Sequence, residues 1–214
     1  MTLFNKYFME KNRLETLVDG IFAIVMTLLV MNVVVPHREA VLEGGGFHGL
    51  LNSRLHDIIN YALSFSLLAI FWIQHHKQAH FIKRTNSVHI WINIVTMFFI
   101  ALFPFSTSLV TEFPDENTAE IVFGVNLFVV GLLFLLNWMY ATKGKHLVDQ
   151  NLGEREIIIG RNSSILFIII AVISIILSQI HPSVSADIFW IVPFLVISEQ
   201  LLKKKEAKRE AKKE

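Results

Sequence analysis

The sequence predicts an all-α integral membrane protein with six transmembrane helices per subunit, and three observations lead to this fold class. The chain has 214 residues, of which 53% are hydrophobic, and a mean hydropathy of +0.53. Only 17% of its residues are charged, against about 25% in an ordinary soluble domain. Apolar runs of about 20 residues, the length of helix that crosses a bilayer, recur along the chain.

The first apolar run covers residues 13–36 and begins with Arg13, Glu15 and Asp19. Charged residues before it, and the lack of a small-residue cleavage site, favour a retained helix over a signal peptide. An ionisable side chain inside a membrane is costly and usually has a partner or a function. Asp19 is therefore the first candidate functional residue.

Five further apolar segments follow, and we expect each to cross the membrane. They cover residues 58–81, 88–110, 121–142, 163–180 and 186–202. The connections between them are too short to hold a second domain. The sequence thus predicts one membrane domain over residues 1–202 and a charged tail over residues 203–214.

The distribution of basic residues predicts the orientation in the cell membrane. Seventeen of the 19 Lys and Arg residues lie at the N-terminus, in the second and fourth connections, or in the tail. Basic residues favour the cytoplasmic side, so both termini are expected there. An even number of helices is consistent with both termini on one side. The chain has no cysteine, which excludes disulfides and thiolate catalysis.

Polar residues from three predicted helices lie at one depth, near the cytoplasmic ends. These residues are Asp19 on the first segment, Trp72, His75 and His76 on the second, and Trp91 and Asn93 on the third. Polar groups in lipid need internal partners, so we expect a network that links Asp19 to a histidine or to Asn93. Solvated interfacial histidines are the alternative. A metal site at these histidines is not expected, because no carboxylate lies beside them at helical spacing.

Residues of the first helix also form one stripe. At about 100° per residue, Gly20, Ile24, Leu28 and Met31 share a face, with Thr27 on its flank. Asp19 lies roughly 140° from Ile24 on the same wheel and so belongs to another face. From the pattern alone, the stripe could face lipid or pack in the core of the protein.

The first segment resembles a known signature. Arg13, the sequence Leu17-Val18-Asp19-Gly20 and the apolar residues that follow are similar to the R-x-x-x-F-S-D-G signature of the prokaryotic members of the transmembrane protein 175 family of potassium channels. Trp72 with the histidines after it, and the sequence from Ala101 to Phe105, are also similar. Leu17 and Val18 depart from the usual Phe and Ser, and the lost Ser removes one hydrogen-bonding group from the polar network.

The resemblance implies a potassium channel that is a homotetramer of six-helix subunits in the lipid bilayer, with the first helices around a central pore. Ile24, Leu28 and Met31 would form stacked apolar rings at the constriction, with Thr27 as the nearest hydroxyl. Arg13, Asp19, Trp72, His75, His76, Trp91 and Asn93 would form a structural polar network. Potassium would be the permeant ion, favoured modestly over sodium, and we expect no cofactor, metal site or nucleic-acid partner.

Two other classes of function compete with the channel. A proton- or ion-coupled secondary transporter could use Asp19 and the histidines of the second helix, although transporters usually show inverted repeats and broken helices, which the sequence lacks. An intramembrane enzyme is not expected, because the membrane serines have no His or Asp on the same face to act as a base. These serines are Ser64, Ser66, Ser106 and Ser108.

Overall fold

A computed structural model describes residues 10–33, 54–114, 116–180 and 186–194, together with Gly49, and its regular elements are helices. Within these residues, the named α-helices are α1 (Lys11–Leu28), α2 (Leu55–Phe81), α3 (Ser87–Ala101), α4 (Phe103–Glu112), α5 (Asn117–Thr142) and α6 (Glu154–Ser178). A 3₁₀ turn at Leu29–Asn32 prolongs α1, and another at Ala186–Trp190 begins the last predicted segment.

Five spans of the described residues are long and apolar enough to cross a membrane: Lys11–Asn32, Asp57–Phe81, Ser87–Glu112, Asn117–Lys145 and Glu154–Ser178. They correspond to the first five predicted segments. The sixth segment is described only from residue 186 to residue 194, and the predicted tail over residues 203–214 lies outside the described residues. The described residues thus form an all-helical structure with five helical spans that could cross a membrane.

The fifth span begins nine residues earlier than predicted, at Glu154 instead of Ser163. The polar residues of this stretch, including Arg155 and Arg161, lie on exposed turns of the helix and do not interrupt it. Glu154 and Glu156 occupy the first turn, where acidic side chains stabilise the positive end of the helix dipole. Hydropathy alone therefore underestimated the length of this helix.

The third span, which the sequence predicts as one helix over residues 88–110, is broken into α3 and α4. Pro104 lies in the first turn of α4, and it has no N–H to continue the hydrogen bonds of α3. The Asn32 side chain donates a hydrogen bond to the Pro104 carbonyl at 3.0 Å. The break thus fixes the end of the α1 span against the third span.

The core is apolar and centred on Phe71 of α2. Its ring lies 4.5 Å from that of Phe167 and 5.6 Å from that of Phe134, measured between centroids. Close packing of α5 on α6 depends on small residues, since a Cβ added at Gly124 would lie 2.7 Å from the Ile175 side chain. In lipid, such close backbone approach replaces the hydrophobic driving force as the source of helix association.

The two connections that were predicted to be cytoplasmic pair with each other. The backbone N–H of Lys83 donates to the Leu147 carbonyl at 2.7 Å, and Ile82 forms an isolated antiparallel bridge with Val148. Both residues belong to a small buried apolar cluster with Trp138, whose indole N–H donates to the Ile157 carbonyl at 2.9 Å. These contacts hold the ends of α2, α5 and α6 together at one side of the molecule.

Candidate functional site

Helix α1 has two contrasting faces. One face packs into the protein through buried residues at helical spacing: Leu14, Val18, Phe22, Val25 and Leu29. The other face is open, with 60% of Ile24, 49% of Leu28 and 73% of Met31 exposed. The helix therefore buries one apolar stripe within the subunit and leaves a second apolar stripe uncovered.

Gly20 and Thr27 are exposed together with Ile24, Leu28 and Met31, which agrees with the face that the helical wheel predicts. The Thr27 hydroxyl donates to the Ile24 carbonyl at 2.7 Å, so its own oxygen remains an acceptor. A Cβ placed at Gly20 would meet no atom within 4 Å. Packing within the subunit thus gives no reason for a glycine here, and the assignment of this stripe to a pore remains a prediction.

Asp19 lies on the flank of α1 and accepts a hydrogen bond from the Trp72 indole N–H at 2.8 Å. The sequence predicts a histidine or Asn93 as its partner, and the described hydrogen bonds show neither. The indole N–H can only donate, so it needs an acceptor such as a carboxylate. His76 lies beside this pair, with its ring centroid 6.1 Å from that of Trp72.

His75 and Asn93 instead belong to a second, buried group of polar residues. Nε2 of His75 lies 3.0 Å from Oδ1 of Asn93, and because that oxygen only accepts, the imidazole donates. The Asn93 amide donates to the His89 carbonyl at 2.8 Å and to Oδ1 of Asn137 at 3.3 Å. We call His75, His89, Asn93 and Asn137 the inner polar cluster.

Local sequence positions this cluster. Asn86 caps α3 by accepting a hydrogen bond from the His89 N–H at 2.9 Å, which sets His89 and Asn93 on successive turns of one face. The Thr85 hydroxyl lies 2.9 Å from Nδ1 of His89 and holds that ring. Sequence reasoning missed His89 and Asn137, although the spacing of four residues between His89 and Asn93 was a usable signal.

Three residues of the predicted network form no side-chain hydrogen bond with either group among the described contacts. Arg13 is exposed on α1, and 65% of Trp91 is exposed on α3. His76 is also exposed, beside the Trp72 ring. The structure thus joins Asp19 to Trp72 and His75 to Asn93 as two separate groups.

A third set of buried polar contacts, which the sequence reading did not anticipate, lies in the other half of the bundle. The Thr107 hydroxyl donates to that of Ser64 at 2.9 Å, and the Asn126 amide donates to the Ser106 hydroxyl at 3.1 Å. These contacts join α2, α4 and α5. Ser64 and Ser106, two of the serines considered for catalysis, therefore have a hydroxyl and an amide as hydrogen-bond partners, and neither partner is a base.

The residues described here do not gather three His, Asp or Glu side chains in an arrangement that could hold a metal ion. The uncovered stripe of α1 is an apolar face that packing within the subunit leaves open.

Comparison with known proteins identifies relatives whose matches cover most of the chain. A family model described as the endosomal/lysosomal potassium channel TMEM175 matches residues 13–104. A protein of Streptomyces collinus named a potassium channel is 28% identical over 144 residues, covering 65% of this chain and 68% of the relative. A protein of Chryseobacterium with the same description is 25% identical over 189 residues, covering 87% of this chain and 92% of the relative.

A relative from Gallus gallus bears a different description, an endosomal/lysosomal proton channel TMEM175. It is 30% identical over 120 residues, which is 53% of this chain but only 24% of that longer protein. Among solved structures, a lysosomal potassium-selective channel TMEM175 homologue from Chamaesiphon minutus matches with a TM-score of 0.77. It is 22% identical, and the match covers 88% of this chain and 97% of that one, which shows a shared fold.

These comparisons confirm the resemblance read from Arg13, Asp19 and Gly20. The relatives are ion channels and not enzymes, so the enzyme hypothesis is excluded. Several helices able to span a membrane, together with channel relatives, make this a membrane protein.

Proposed function

We propose that this member of the TMEM175 family forms a potassium-permeable channel in the cell membrane, in which four copies of α1 surround the permeation path. The observation that carries the proposal is the uncovered apolar stripe of Ile24, Leu28 and Met31 on a helix whose opposite face is fully packed. The bacterial relatives named as potassium channels support the choice of ion.

Several copies of the chain, related by rotational symmetry, could line a pore with this stripe, which a single subunit could not do. A single helix cannot enclose an aqueous path, whereas a closed ring of identical helices can. In such a ring Ile24, Leu28 and Met31 would each contribute one apolar ring. Gly20, which has free space around it within the subunit, would allow neighbouring helices to approach closely at one end.

Stacked apolar rings control permeation by excluding water. When the passage is narrow, it dewets, and an ion that loses its hydration shell meets a large barrier. Rotation or tilt of α1 would widen the passage and admit the ion. The Thr27 oxygen, free to accept, would offer the nearest polar contact to a cation.

Selectivity for potassium over sodium would be modest in this design. Potassium holds its water less tightly because it is the larger ion of equal charge, so partial desolvation favours it. The chain has no Thr-Val-Gly-Tyr-Gly sequence, whose carbonyl oxygens replace the lost hydration shell in other potassium channels. Apolar rings offer no such replacement.

The polar groups support this arrangement from outside the path. Asp19, bonded to Trp72, would join α1 to α2, and the inner polar cluster would hold α2, α3 and α5 together. The role of Arg13, His76 and Trp91 in this support remains a prediction. With the basic residues on the cytoplasmic side, both termini would lie in the cytoplasm.

Flux from the purified protein in liposomes tests the proposal. Under a potassium gradient, with the membrane potential clamped by an ionophore, we expect potassium to leave faster than sodium and without any obligatory movement of protons. Protein-free liposomes are the control. Potassium movement that stops when the proton gradient is removed would instead support the ion-coupled transporter.

The same preparation separates potassium from proton permeation. Some relatives are described as proton channels, so a pH-sensitive dye inside the liposomes should be read in parallel. Proton flux that persists while potassium flux is absent would contradict the proposed permeant ion.

A further inference from the structure

A pocket of about 320 Å³ lies between the ends of α2, α5 and α6. This volume is within the range of pockets that hold small organic ligands, about 300–1,000 Å³. Its apolar walls include Phe81 of α2, Trp138 of α5 and Ile159 of α6, and its polar walls include Lys77 and Glu156. This pocket, which we call the α2–α6 pocket, is therefore amphipathic.

The floor of the α2–α6 pocket is held by contacts within the subunit. The buried Trp138 ring packs directly on Gly160, since a Cβ at this position would lie 2.6 Å from the ring. The Trp138 indole N–H donates to the Ile157 carbonyl at 2.9 Å, and the Gln74 amide donates to the Ser164 hydroxyl at 3.3 Å. These contacts give the pocket a fixed shape before any ligand binds.

The charged side chains of the pocket are available to a ligand. Neither Lys77 nor Glu156 belongs to an ion pair with any residue that the structure describes. The Ser163 hydroxyl, also in the wall, donates to the Ile159 carbonyl at 3.0 Å, so its oxygen can still accept a hydrogen bond. The described walls thus offer a cationic donor, an anionic acceptor and a neutral acceptor, and carry no net charge.

The pocket lies at the depth of lipid headgroups. Lys77 lies in the last two turns of α2, Glu156 in the first turn of α6, and Trp138 about one turn before the end of α5. Trp rings and outward-reaching Lys side chains are typical of the boundary between hydrocarbon and water. On α6, the exposed Ile159 is followed two turns deeper by the exposed Leu166. An apolar path therefore leads from the pocket towards the centre of the bilayer.

We propose that the α2–α6 pocket binds the headgroup of a phospholipid that carries both a phosphate and a primary ammonium, as phosphatidylethanolamine does. Lys77 would donate to the phosphate, while the Glu156 carboxylate and the Ser163 oxygen would accept from the ammonium. The acyl chains would follow the apolar flank of α6 into the bilayer. This inference does not depend on which ion the protein conducts.

The walls suit this headgroup better than the other common ones. An anionic headgroup, such as phosphatidylglycerol, would bring its phosphate near Glu156 and leave that carboxylate without a partner. A choline headgroup has no N–H to donate to the carboxylate. An ammonium with N–H groups satisfies Glu156, and the phosphate beside it satisfies Lys77.

Native mass spectrometry of the delipidated full-length protein, with lipid added back, tests the proposal. We expect phosphatidylethanolamine to bind about tenfold more tightly than phosphatidylcholine or phosphatidylglycerol. Soluble phosphoethanolamine should bind much more weakly, because it lacks the acyl chains. Equal affinity for the three lipids, or tighter binding of phosphatidylglycerol, would overturn the proposal. Phosphoethanolamine that binds as tightly as the lipid would show a site for a soluble ligand, and would overturn it too.

Substitutions in the walls show whether the lipid binds in this pocket. Lys77→Gln and Glu156→Gln each remove one charge-assisted contact, so each should lower the affinity for phosphatidylethanolamine several-fold. Glu156→Gln also leaves the described walls with a net positive charge, so it should raise the affinity for phosphatidylglycerol. Glu154→Gln is the matched control, because Glu154 is exposed in the same turn of α6 and is not among the described walls.

Filling the pocket tests its space and not its charge. Ser163→Leu keeps Lys77 and Glu156 but occupies the volume between them, so it should also lower the affinity for phosphatidylethanolamine. Unchanged affinity in all three pocket variants would place the lipid elsewhere and overturn the proposal. An equal loss of affinity in Glu154→Gln and Glu156→Gln would overturn it as well, because a general effect of surface charge would then explain the result.

Discussion

At the scale of single residues, Asp19 illustrates how one hydrogen bond can fix a helix. Its carboxylate accepts from the Trp72 indole at 2.8 Å, across the contact between α1 and α2. A hydrogen bond to a charged group contributes roughly 1.5–3 kcal/mol when buried. Both residues are exposed within the subunit, so a contribution of about 1 kcal/mol is the more suitable value here.

Replacing Asp19 should therefore affect stability more than ion preference. Asp19→Leu removes the acceptor and should cost about 1 kcal/mol, whereas Asp19→Asn keeps an amide oxygen that can still accept and should cost less. Trp72→Phe completes a double-mutant cycle, in which the second substitution should add little to the first. Unfolding in detergent measures the costs. Fully additive costs, or a changed preference between potassium and sodium, would show that Asp19 acts elsewhere.

Gly20 gives a residue-scale prediction about assembly. Alanine is favoured over glycine inside a helix by about 1 kcal/mol, and a Cβ at Gly20 meets no atom of its own subunit. Gly20→Ala should leave the subunit folded but weaken the contact between neighbouring copies of α1. Gly131→Ala is the contrasting control, because its Cβ would lie 3.2 Å from Ile168 within the subunit. A Gly20→Ala protein with a raised unfolding temperature and unchanged assembly would show that the helices do not meet there.

At the scale of elements, the break between α3 and α4 determines where the end of the α1 span lies. Pro104 creates the break, and Asn32 binds the Pro104 carbonyl at 3.0 Å. The polar end of a membrane helix is thereby attached to a neighbouring helix and not to lipid.

We expect Asn32→Leu to release this attachment. Loss of a neutral hydrogen bond costs about 1 kcal/mol, which for a chain of this size lowers the unfolding temperature by roughly 2–4 °C. Thr27→Val is the control, because the Thr27 hydroxyl bonds only to a carbonyl of its own helix. The loss should be clearly larger for Asn32→Leu, and equal losses would show that the contact with Pro104 contributes nothing.

The sequence predicted the elements better than the contacts between them. Apolar runs and the helical period located five spans and the open face of α1, because both depend only on local pattern. The partner of Asp19 was not predictable, because it depends on how α2 rotates against α1. The inner polar cluster was predicted only in part: Asn137 lies on a helix that returns to this depth after a long separation in sequence. The break at Pro104 was not predicted, although proline is a known helix breaker, and its bond with Asn32 follows from tertiary packing.

At the scale of the whole molecule, the proposed channel needs several copies of the chain around one axis. Two copies of α1 leave no lumen, and six or more leave one that is too wide for apolar side chains to meet. Four copies suit a narrow constriction. In a closed symmetric ring, the uncovered stripe of every copy has the same environment.

Native mass spectrometry in detergent should therefore give a tetramer. The chain has no cysteine, so cross-linking of single-cysteine variants at positions of the stripe offers a second measurement without background. Cross-links at Met31, but none at Ile176 on α6, are the expected pattern. A predominant monomer that still transports potassium would exclude the channel and return the transporter to first place.

The central claim is that the uncovered stripe of α1 lines the ion path, and Ile24→Asn tests it most directly. An amide ring at the proposed constriction should hydrate the passage, raise the conductance and lower the preference for potassium over sodium in bilayer recordings. Ile176→Asn is the matched control, since 58% of Ile176 is exposed on α6 against 60% of Ile24 on α1. We predict that only Ile24→Asn changes the permeability ratio. Unchanged ratios in Ile24→Asn, or equal changes in both variants, would place the ion path elsewhere in the molecule.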